Sequence, residues 1–201
     1  MGLIIKNKIA QLKKGYPTVS DKYNVQGGIN EGVALHFGDL VTYATAGNPA
    51  TQTGATTGHY VKMTAINQKL AGIVLATNVK LANKYPGDSN ASVETLKGEA
   101  FNLMVRGFIA VKVLAADYKT AYENYVNDPT EAHKTALEVA KTAVANKFVE
   151  GANAALALDG EGADAEVVFD VATSDALQGV YFMGVVEFVG GEVIAEINYR
   201  M

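Results

Sequence analysis

Apolar residues recur at every second position through Glu99 to Val113, EAFNLMVRGFIAVKV. One face would hold Phe101, Leu103, Val105, Gly107, Ile109, Val111 and Val113, and the other Asn102, Met104, Arg106, Phe108, Ala110 and Lys112. A period of two predicts a half-buried β-strand. The run exceeds the usual strand of about 5–6 residues, so a bend is expected, and Gly107 in its middle is where a bulge or corner fits. We take this run as the central strand of a small β-barrel or sandwich.

On its N-terminal side, Val33, Leu35, Phe37, Val41 and Tyr43 alternate around Gly38-Asp39 and predict a strand with a turn or bulge. Residues 46–58 are a loop by composition. His59 to Ile66 and Leu70 to Thr77 read as two short strands whose link, Asn67-Gln68-Lys69, is short enough for a hairpin. Asn78 to Gly98 is weakly patterned, with a turn at Pro86-Gly87.

After the central strand the period changes. Leu114, Tyr118, Ala121, Tyr122 and Tyr125 follow helical spacing, and a second stripe runs through Leu137, Ala140, Val144 and Phe148. Asp128 reads as the N-cap of that second helix, with Pro129 at N1, Glu131 at N3 and Gly151 after its end. Residues 152–165 read as an Ala/Gly/Asp loop. Strands are expected at Glu166 to Ala172, Val180 to Val189 and Glu192 to Tyr199, the last two joined by a Gly190-Gly191 turn. The fold class is therefore mainly β, a small β-barrel or sandwich, with an inserted α-helical hairpin over 114–151 and an extended N-terminal arm. The arm is read as residues 1–31 and the β-domain as 32–201.

Charge adds one feature. The chain carries −4 overall, yet residues 1–30 hold Lys6, Lys8, Lys13, Lys14 and Lys22 against Asp21 alone, giving +4; the remainder holds 12 basic and 20 acidic residues. A basic arm on an acidic body fits docking of the arm on something negative, and from charge alone it fits a solvated tail equally well. Ile5, Ile9 and Leu12 have helical spacing, but the start does not read as a secretory signal, because its apolar part precedes the lysines. No apolar run approaches the ~20 residues of a membrane span. Cysteine is absent, so disulfides and thiolate metal sites are excluded.

Candidate chemistry is sparse. His36, His59 and His133 are far apart, no serine lies in a G-x-S-x-G elbow, and the Gly/Thr-rich loop of residues 47–60 lacks a phosphate-loop pattern. Asp159, Glu161, Asp164 and Glu166 could hold calcium, but the calcium-loop pattern is not met and a solvated acidic loop is the plainer reading. No enzyme, cofactor or metal is expected, and an acidic body argues against nucleic acid. Arg106 stands among apolar neighbours, so its stem should pack and its head should meet a carboxylate at an edge or interface. Tyr118, Tyr122 and Tyr125 should pack on the second helix or form a subunit contact.

The order of motifs GYPTVSDKYNVQGGINEG, GVALHFGDLVTYAT, LAGIVLAT, EAFNLMVRGFIAVKV and GVYFMGVVEFVGGEVIAEI resembles the cement or decoration proteins on the heads of tailed bacteriophages. The resemblance covers residues 15–113 and 178–199, and the helical hairpin departs from it. It implies a non-enzymatic virion structural protein on the capsid surface, bound to the major capsid protein and to further copies of itself, as in a trimer, without nucleic acid or membrane. The candidate interface is Lys6, Lys8, Lys13, Lys14, Tyr16, Tyr118, Tyr122 and Tyr125, the arm making the main lattice contact and the hairpin a second one. A head–tail connector, fibre-attachment or tail protein is the alternative; a carbohydrate-binding β-module is disfavoured by the absence of tryptophan.

Overall fold

In the computed structural model, which describes residues 12–18, 23–44, 58–75, 94–162 and 165–200, the long alternating run is β5 (Ala100–Lys112). Four shorter strands join its first half: β1 (Asn24–Asn30), β2 (Leu40–Tyr43), β3 (Gly58–Lys62) and β4 (Gly72–Val74). Their order β1-β3-β2-β4-β5, with β5 pairing back onto β1, closes a five-stranded barrel. The second half of β5 leaves the barrel and pairs with β9 (Glu192–Arg200), which pairs with β8 (Val180–Val189). One strand therefore serves two sheet regions.

Gly107, at φ +141°, lies just past the bulge that lets it do so. Asn24 faces Arg106 and Val25 faces Met104, so Val105 is one residue too many against β1. The extra residue exchanges the two faces. Before it, Phe101 and Leu103 enter the barrel core with Leu35, Val41, Tyr60 and Val74. After it, Ile109, Val111 and Val113 share the larger core with Met104, Phe148, Phe169, Phe182, Ile197 and Tyr199. The single alternating face expected from the sequence is thus two half-faces in antiphase.

The helical hairpin forms as expected, with α1 (Ala116–Asn127) and α2 (Glu131–Lys147). Its cap differs: Thr130, not Asp128, is the N-cap, because the Thr130 hydroxyl accepts from the His133 N–H at 3.3 Å. Leu137, Val144 and Phe148 bury their side chains in the larger core. The β8–β9 hairpin turns at Gly190-Gly191, Val189 pairing with Glu192 and Gly190 at φ +59°.

Three further expectations are corrected. β3 and β4 do not form a hairpin, since β2 lies between them, Val41 pairing with Lys62 on one side and Gly72 on the other. Residues 63–71 are long enough to step over one strand, a span of about 10 Å. The loop read at 152–165 contains β6 (Ala154–Asp159), paired in full register with β7 (Glu166–Val171). Finally, part of the stretch read as an arm, residues 1–31, belongs to the barrel. Asn24–Asn30 is a barrel strand, and residues 12–18 lie along the outer half of β5, with Pro17 bridged to Ile109 and the Ala110 N–H donating to the Tyr16 carbonyl at 3.1 Å.

Candidate functional site

The sequence-predicted interface residues divide between these elements. Lys6 and Lys8 lie outside the described residues. Lys13 is exposed. Tyr16 sets its ring edge-on to Phe37, centroids 6.3 Å apart. Lys14 is drawn inward. Its ammonium lies 2.8 Å from Glu166 and 3.3 Å from Asp39, so it ties residues 12–18 to the start of β7 and to the turn before β2.

Those contacts belong to a charge network that organises this side of the molecule. Asp39, whose side chain is 1% exposed, also faces Lys62 of β3 at 3.1 Å and accepts from the His36 N–H at 2.9 Å. Glu166 meets Lys112 of β5 at 2.9 Å, and Lys112 reaches Asp159 at 2.8 Å and Glu192 at 3.4 Å. The acidic loop read as solvated therefore has its two ends, Asp159 and Glu166, committed to Lys112. Burial alone would push the Glu166 carboxyl up, but Lys14 and Lys112 outweigh it and hold the carboxyl at about 2. Burial likewise disfavours the charged Lys14, yet Asp39 and Glu166 raise its pKa. A buried ion pair repays its desolvation only when its remaining hydrogen bonds are made, as they are here. The arrangement is a clasp of alternating charge that ties residues 12–18 and the turn before β2 to β3, β5, β6, β7 and β9.

Nearby, the Leu12 N–H donates to Glu187, the Thr18 hydroxyl donates to Glu196, and Leu12 packs with Ala110 and Ile194. Leu12 is thereby fixed beside β8 and β9.

The tyrosine stripe meets β8 as well as α2. Tyr118 is 2% exposed; its hydroxyl donates to the Gly190 carbonyl at 2.7 Å and its ring lies 4.8 Å from Phe188. It is enclosed by its own chain. Tyr122 and Tyr125 are partly buried on the same core and keep an outward side. The structure does not bring the tyrosine stripe together with Lys13, Lys14 and Tyr16 into one patch: Tyr118 and Tyr122 sit by the β8–β9 turn, while residues 12–18 lie along β5.

Sequence reasoning missed Asp39, Lys62, Lys112 and Glu192 as one system. The signal present was modest: a lysine interrupting each of two apolar strands. Arg106 was singled out, but its counterpart is Arg200, directly across the β5–β9 ladder.

Among the described residues, no group of three His, Asp or Glu is placed to hold a metal, and no helix is long and apolar enough to cross a membrane. Comparison of this chain with family models, with curated proteins and with solved structures finds no match.

Proposed function

We propose that this chain is a non-enzymatic structural protein of a bacteriophage head, binding the major capsid lattice as a cement or decoration protein. One observation carries the reading. Three of the stretches that bear the resemblance, GVALHFGDLVTYAT, LAGIVLAT and EAFNLMVRGFIAVKV, hold β2, β4 and β5, which are consecutive neighbours in one sheet. Residues scattered over some 70 positions of sequence thus make a single structural unit. A barrel closed by a strand that continues into an outer sheet is a rigid body, and a rigid body loses little entropy on docking. The main lattice contact is assigned to the segment ahead of Leu12, which carries Lys6 and Lys8, and a second one to the outward sides of Tyr122 and Tyr125. Repetition over a lattice would multiply weak contacts of this kind.

The test is co-sedimentation of the full chain with expanded capsids that lack it, beside a variant with Lys6 and Lys8 changed to glutamine. Saturable binding, weakened in the variant and by salt, is the expected result. No binding to the capsid overturns the proposal.

A further inference from the structure

The chain contains two arginines among 15 lysines, and both arginines occupy one place: Arg106 of β5 and Arg200 of β9 are directly opposed cross-strand partners. Like charges so placed repel. Arginine does not relieve the repulsion by losing its proton, as lysine can. Elsewhere the partly buried Lys14, Lys62 and Lys112 and the exposed Lys147 each lie within 3.3 Å of a carboxylate, whereas both arginines are exposed. Among the described residues, neither arginine has such a partner.

The surroundings are ordered for a ligand. Arg200 donates from Nε to Asn198 Oδ1 at 3.2 Å, and Asn198, 2% exposed, is itself fixed by its Nδ2 donating to the Tyr181 hydroxyl at 2.7 Å. A buried amide thus takes the Nε–H of the guanidinium, whose two terminal amino groups keep further N–H donors. With Tyr23, Asn24 and Phe108, the two arginines border a hollow of about 300 Å³. It is open to solvent, which suits a group presented on another surface better than a small molecule needing enclosure.

We propose that Arg106 and Arg200 form a carboxylate-binding site that takes an aspartate or glutamate side chain of a partner protein. The planar fork of each guanidinium matches a carboxylate's two oxygens, and an incoming negative charge removes the repulsion across the ladder. The carboxylate that Arg106 requires at an interface is then supplied from outside the chain. The inference stands on β5 and β9 and holds whether or not the partner is a capsid.

Two arginines give two Nε–Hε signals in a ¹⁵N spectrum, assigned by Arg106→Lys. The ¹⁵N-labelled full chain is titrated with a capped Gly-Glu-Gly peptide, and with capped Gly-Gln-Gly at matched ionic strength. The site predicts that both signals move together and saturate with the glutamate peptide alone. Affinity should fall at least about fivefold in Arg200→Lys, which keeps the charge and loses the fork; Arg106→Lys gives the same comparison from the other side if Arg200→Lys does not fold. Unmoved signals, equal movement with the glutamine peptide, or undiminished binding in the folded lysine variants overturn the proposal. So does tighter binding of inorganic phosphate than of the glutamate peptide, which would make this a phosphate site.

Discussion

Replacing Glu166 with glutamine preserves the shape of a side chain at the centre of the clasp and removes its charge. Its two cations, Lys14 at 2.8 Å and Lys112 at 2.9 Å, would keep other partners: Asp39 at 3.3 Å for the first, Asp159 at 2.8 Å and Glu192 at 3.4 Å for the second. A carboxyl held at about 2 against an ordinary 4.5 contributes about 3 kcal/mol at neutral pH. The same attraction also raises Lys112, so it is counted once. Since glutamine still accepts one hydrogen bond and neither lysine is orphaned, we expect Glu166→Gln to cost about 2 kcal/mol near pH 7. The sign of the pH dependence follows from the direction of the shift. A depressed carboxyl stabilises the fold above its unfolded pKa, and this is lost as pH falls from 4.5 towards about 2. The stability gap between wild type and variant should therefore persist to about pH 5 and lose more than half its size by about pH 3. Urea denaturation of both proteins at these values, followed by circular dichroism, measures the gap directly. A gap below about 0.5 kcal/mol at neutral pH, or one unchanged at pH 3, would refute the assignment of Glu166 as the charge that holds the clasp.

Other consequences are as direct. Asp39→Asn removes the charge that faces Lys14 and Lys62, so residues 12–18 should loosen and trypsin should cleave after Lys13 or Lys14 faster than in the wild type. Gly107→Ala forces a side chain onto backbone at φ +141° and should cost about 1–3 kcal/mol, read as a lowered Tm. Phe148→Ala empties a fully buried site whose ring lies 4.9 Å from that of Phe182, and should cost about 3–5 kcal/mol in denaturant unfolding.

How far the fold could be read in the sequence depended on the range of the interaction that decides each element. β5, the two helices and the Gly190-Gly191 hairpin rest on local period and turn chemistry, and their positions follow from the residues. β6 did not, because AALALD has little β-propensity and becomes a strand through pairing with β7. The link between β3 and β4 has a length that suits either a hairpin or a step over β2, and only the barrel's closure chooses. At the head of α2, Asp128 and Thr130 are both competent caps, and the bond to the His133 N–H decides. The clasp was the least legible feature: Lys14 meets Asp39 across 25 positions and Glu166 across 152. Charge counting had placed Lys14 with the outward-facing cations of a basic arm, whereas its ammonium is spent inside the molecule. For Arg106 the sequence indicated the need for a carboxylate, and the structure sets a second arginine opposite instead.

The central claim is that this chain decorates a capsid lattice, and the most direct measurement is electron-microscopic imaging of expanded heads saturated with the purified protein. The account predicts density the size of one barrel domain with its outer sheet and helical hairpin, repeated at equivalent positions over the whole shell. Density confined to a single vertex, or a shell indistinguishable from undecorated heads, would contradict it.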